Sequence, residues 1–85
     1  MKMKNYYLVK MGKVTKVDPC KDDYYDKLEE LGAEEDNGNE WVIAYAYNPE
    51  EALKVADLWD QGKIEMKNIW CQPCGTAHAA AEMPE

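Results

Sequence analysis

The sequence contains no arginine, no serine and no phenylalanine. Without Arg there is no arginine finger and no bidentate guanidinium clamp for phosphate. Without Ser there is no serine nucleophile, and Thr15 and Thr76 are the only aliphatic hydroxyls. Without Phe, the large anchors of a core are Trp41, Trp59 and Trp70, each with an N–H that needs a partner when buried. No apolar run approaches the ~20 residues a membrane span requires. The segment Met1-Lys2-Met3-Lys4-Asn5 is followed by neither an apolar stretch nor a small-residue cleavage site, so a cytoplasmic location and no membrane contact are expected. Three cysteines form an odd set, unlike a secreted disulfide scaffold, which also fits a reducing compartment.

What is present is enough for one domain of 85 residues, with the ends 1–4 and 76–85 expected to be loose. A chain this short buries roughly 60 to 65% of its unfolded surface, so its stability margin is small. The net charge of −7 is unevenly placed. Residues 1–17 carry five Lys and no acid, residues 18–40 have a net charge of −8, and residues 41–85 have −4. An acidic balance disfavours direct nucleic-acid binding, which needs cations to displace phosphate counterions, and suits a basic protein surface as partner.

Periodicity suggests the elements. Tyr6 to Met11 and Val14 to Val17 read as strands joined by a Gly12-Lys13 type II′ turn. Asp18-Pro19 reads as N-cap and first position of a helix that gathers Cys20, Tyr24, Tyr25, Leu28 and Leu31 on one side and ends at Gly32. Asp36-Asn37-Gly38-Asn39 is a turn, followed by the strand Trp41 to Tyr47. There Val42, Ala44 and Ala46 form a small apolar face that a helix can approach closely. Asn48-Pro49-Glu50-Glu51 starts a second helix, with Ala52, Val55, Ala56 and Trp59 on its buried side and Gly62 closing it. Ile64 to Trp70 reads as a last strand, and the Ala-rich tail from Gly75 as one helical turn or none. The expected fold is α+β: a small two-layer sandwich, a three- to four-stranded, largely antiparallel sheet with two helices on one face.

Two constellations carry chemistry. Cys71, Cys74 and His78 have Cys-x2-Cys-x3-His spacing, and Cys20 completes a Cys3His donor set for tetrahedral zinc. A small domain gains from such a metal; the alternatives are that no cofactor binds and the three Cys are packing and turn residues, or that Cys71 and Cys74 form a thiol–disulfide pair. Trp70-Cys71-Gln72-Pro73-Cys74 resembles the Trp-Cys-x-Pro-Cys active-site motif of thioredoxins, in which the first Cys is a low-pKa thiolate and the second resolves the mixed disulfide. The resemblance covers five residues, and only eleven follow Cys74, too few for that family's remaining helix and strands.

The second constellation is acidic. Asp22, Asp23, Asp26, Glu29 and Glu30 line the polar side of the first helix, and Glu34, Glu35 and Asp36 extend the strip. Anions in a last helical turn cost ~0.3 to 1 kcal/mol each, and few Lys offset them, so a binding role is one explanation and simple solvation the other. Spaced along a helix, such carboxylates imitate a run of phosphates. In size and charge the chain is similar to small phage inhibitors, including some anti-restriction and anti-CRISPR proteins, that occupy a basic groove of a nucleic-acid-handling complex. The expected function is therefore a small acidic binding or regulatory protein, not an enzyme, acting as monomer or homodimer. The alternatives are a zinc-stapled or thiol-redox domain, and an aromatic module that self-associates through a sheet edge.

Overall fold

The computed structural model describes residues 3–33, 41–71 and 74–84. The elements in chain order are β1 (Asn5–Lys10), β2 (Lys13–Val17), α1 (Tyr24–Glu30), β3 (Trp41–Ala46), α2 (Pro49–Asp60), β4 (Lys67–Cys71) and β5 (Thr76–Glu82). The turn expected at Asp36–Asn39 lies outside the described residues.

The strands form one five-stranded sheet in the order β2-β1-β3-β5-β4. β1 is antiparallel to both β2 and β3, and β5 is antiparallel to β4. The β3–β5 pairing is parallel. The sheet is thus mixed and has one strand more than the upper expectation. The extra strand is β5, where the Ala-rich tail was expected to be loose. Alanine favours helix by propensity, but here small side chains are what the position accepts. Ala80 and Ala81 are fully buried on opposite faces of the sheet.

Strand alternation sorts the core into two clusters. Tyr7, Val9, Val42, Ala44, Ala46 and Ala81 meet Ala52 and Val55 of α2. Tyr6, Leu8, Val17, Ile43 and Ala80 meet Leu28 of α1 and Ala33 beyond it. The two helices therefore lie on opposite faces, making three layers rather than two with both helices on one side. Periodicity marks each helix's apolar stripe but does not say which side of the sheet that stripe covers.

α2 is built as its sequence suggests. The Asn48 Oδ1 accepts a hydrogen bond from the Glu51 N–H at 2.8 Å, and Pro49 occupies the first turn, where a missing N–H costs nothing. The small face of β3 lets the helix come close, leaving Ala52 and Val55 fully buried. At its end, Gly62 N–H donates to Trp59 and Lys63 N–H to Leu58, the paired bonds of a Schellman ending.

α1 is shorter than expected. It begins at Tyr24, not Pro19, and spans seven residues. Asp18 to Lys21 forms a turn instead: Lys21 N–H donates to the Asp18 carbonyl at 3.2 Å, and Cys20 N–H donates to the Asp18 carboxylate at 3.0 Å. The Asp18 side chain thus closes an Asx turn, a local competitor of helix capping. Tyr25, expected on the apolar side, is exposed, and Leu28 is the helix's buried residue. Gly32 ends α1 as expected, at φ 84°, in a second Schellman arrangement with Glu29 and Leu28. The Lys10 ammonium donates to the Gly32 carbonyl at 2.7 Å, placing a cation at the negative end of the helix. The β1–β2 turn is Met11-Gly12, both at positive φ, with Lys10 opposite Lys13. That is a type I′ geometry one residue earlier than the expected type II′ turn.

Candidate metal centre

Three separate segments deliver the four residues of the Cys3His set to one place. Cys71 is the last residue of β4 and pairs with Thr76 of β5. The Gly75 N–H donates to the Cys71 carbonyl at 2.9 Å, closing the hairpin so that Cys74 turns back towards Cys71. His78 lies opposite Ile69, on the same face as Cys71 by strand alternation, and that face is the one α1 covers. Cys20 comes from the Asp18–Lys21 turn, carried over this face by the approach to α1. The ligand atoms of Cys20, Cys71, Cys74 and His78 all lie within 4.8 Å of one another.

Within the cluster, Cys20 and Cys74 are joined as a disulfide, with Cα atoms 5.2 Å apart, and Cys71 is a buried free thiol. Its Sγ lies 2.8 Å from Cys20 Sγ and 2.9 Å from Cys74 Sγ. The His78 Nε2 is buried without a hydrogen-bond partner among the described residues. An imidazole nitrogen withdrawn from water and left unpaired costs about 1 to 3 kcal/mol, a cost that ligation through this nitrogen would remove.

The donor set fits a tetrahedral soft-to-borderline cation. With Zn–S near 2.3 Å, tetrahedral sulfurs sit about 3.8 Å apart, so Cys71 would move about 1 Å from each neighbour, and the Cys20–Cys74 bond would have to be reduced and its sulfurs separated by about 2 Å. The Cys71 Sγ lies nearly equidistant from the other two sulfurs.

Aromatic rings border the centre. The Tyr6 ring packs edge-on against His78, with centroids 6.1 Å apart, and lies tilted against Tyr45 at 4.7 Å. Burial, with Cys71 nearby, pushes the Tyr6 phenol up to about 12, and burial does the same to Tyr24. Farther along β5, Glu82 accepts from Lys4 and Lys67, each at 2.6 Å. Burial works against its charge, but these two bonds outweigh it and hold the carboxyl below its ordinary value. Burial also lowers the Lys4 ammonium, yet the Glu82 bond leaves it raised. No sequence motif announced this trio, because Lys4 and Glu82 are 78 positions apart.

The acidic residues are placed differently. Asp22, Asp23, Asp26, Glu29 and Glu30 are all exposed on and just before α1. No ion pair among the described residues engages them. Glu34, Glu35 and Asp36 lie outside the described residues. No helix among the described residues is long and apolar enough to cross a membrane. No protein-family model matches the sequence, and no curated protein or solved structure matches it either.

Proposed function

We propose that this chain is a small binding domain stapled by a Cys3His zinc site formed by Cys20, Cys71, Cys74 and His78. The observation that carries the reading is the convergence of four donor residues from three segments, one of them a histidine whose Nε2 is buried and unpartnered among the described residues. Zinc would supply no redox chemistry there; four protein ligands leave no open position, which is the signature of a structural site. Its effect is to tie the α1 approach to the β4–β5 hairpin, a link that the short helix cannot make by apolar burial alone. The test is native mass spectrometry of reduced protein supplied with zinc, with and without chelator. One zinc per chain, lost to chelator together with tertiary structure, is the expected result; protein that folds fully while refusing zinc would overturn the reading.

A second part of the reading concerns what the domain binds. The stapled turn leads directly into α1, whose exposed carboxylates are unneutralised, so a basic protein surface is the partner chemistry that fits, a nucleic-acid-binding protein among the candidates. Replacing Asp22, Asp23, Asp26 and Glu30 with Asn or Gln should weaken salt-sensitive binding to such a partner. Unchanged affinity would remove the acidic surface from the account while leaving the zinc site in place.

A further inference from the structure

Resting on the zinc reading, we propose that Cys20 is a peroxide-reactive modification site: its oxidation hands it to Cys74 as a disulfide and expels the metal. The three cysteines differ in access. Cys20 is exposed, Cys74 half-buried and Cys71 buried. An open groove of ≈ 770 Å³ runs along Lys4, Lys16 and Trp70 to Cys20 and Cys71, giving a small oxidant a path to the cluster. The two more accessible residues are also the two already positioned for a bond. The 5.2 Å between their Cα atoms lies inside the range of about 4.4 to 6.8 Å that disulfides occupy. The same four residues therefore serve two alternative staples, one through a metal and one covalent.

The chemistry balances with hydrogen peroxide as oxidant. The Cys20 thiolate attacks one peroxide oxygen, the O–O bond breaks, and with one proton the products are a Cys20 sulfenic acid and water. The Cys74 thiolate then attacks the Cys20 sulfur, forming the S–S bond and expelling hydroxide, which a second proton converts to water. Two electrons leave the two sulfurs and reduce one peroxide. With two of its thiolates gone the zinc ion departs, and Cys71 takes up a proton. The new bond spans 54 positions of sequence, so the α1 approach stays tethered to the hairpin while Cys71 and His78 are released from the metal.

The experiment treats reduced, zinc-loaded protein with hydrogen peroxide and follows zinc release with 4-(2-pyridylazo)resorcinol. Alkylation in denaturant and peptide mapping then locate the thiols. The expected result is one zinc released per chain, a Cys20–Cys74 linked peptide, an alkylated Cys71, and recovery on adding reductant and zinc. The Cys20→Ser variant, if it still loads zinc, should release it on the order of tenfold more slowly, since the exposed thiolate sets the rate. Zinc that stays bound under peroxide, or release with Cys71 in the disulfide, would overturn the switch and leave the zinc site standing. Reduced protein that takes up no zinc at all would overturn both.

Discussion

The two faces of the sheet are covered by different means. On one, α2 brings twelve residues, a side-chain N-cap, a Schellman ending and two fully buried side chains set against the small residues of β3. Each feature is local and additive, and together they hold the helix by ordinary apolar burial. On the other, α1 has seven residues, no side-chain cap and a single buried Leu28, with carboxylates in its last turn where the helix dipole opposes them. Lys10 at its C-terminal carbonyls and the cysteine cluster at its approach compensate. An isolated helix this short is marginal in water, so on the proposed reading ligation would add to the second face what the first gains from helix packing alone. Small domains can meet a shortage of buried area with a metal, and the proposed zinc would serve the face whose helix buries least.

The difference can be broken from either side. The largest effect is expected from Cys71→Ser, which removes a buried donor and leaves His78 unsatisfied; a loss of roughly 3 kcal/mol or more should appear in denaturant unfolding with zinc present. Comparable stability would mean that the cluster holds nothing. Next comes Val55→Ala on the packed face, with a cost of about 2 kcal/mol. The same cost should be found in zinc-loaded and chelated protein if the two faces are independent. Asn48→Ala should cost about 1 kcal/mol through loss of the α2 cap, again irrespective of metal.

Glu82→Gln should show the smallest effect, about 0.5 to 1 kcal/mol, with a defined pH dependence. The Glu82 carboxyl is held below its ordinary value of 4.5 in the folded protein, so its contribution is fully present above that pH and is lost as pH falls through the depressed value. Stability curves of wild type and Glu82→Gln should therefore converge below about pH 4.5. Curves that remain parallel into acid would show that the Lys4–Glu82–Lys67 trio contributes nothing.

The same contrast marks what was legible in the sequence. The α2 face was written locally: Asn48-Pro49, the Val42-Ala44-Ala46 alternation, the Ala52-Val55 spacing and Gly62 all act within a few residues of where they stand. The four residues of the Cys3His cluster were also visible, because Cys-x2-Cys-x3-His is a spacing and Cys20 was the remaining thiol. What was not legible depended on distant partners. Asp18-Pro19 reads as a helix start until the Asp18 carboxylate closes its own turn. Thr76 to Glu82 reads as a tail until β3 and β4 pair with it on either side. Nothing in the spacing of Leu28 says that it covers Leu8 and Ile43 and not their neighbours on the opposite face.

The most direct test of unequal faces is amide hydrogen exchange on reduced protein, compared with zinc bound and after chelation. The account predicts that chelation exposes the amides of Tyr24 to Ala33 and the β4–β5 hairpin, while those of Ala52 to Trp59 and of β1 and β3 remain protected. Equal loss of protection on both faces, or none on either, would contradict it.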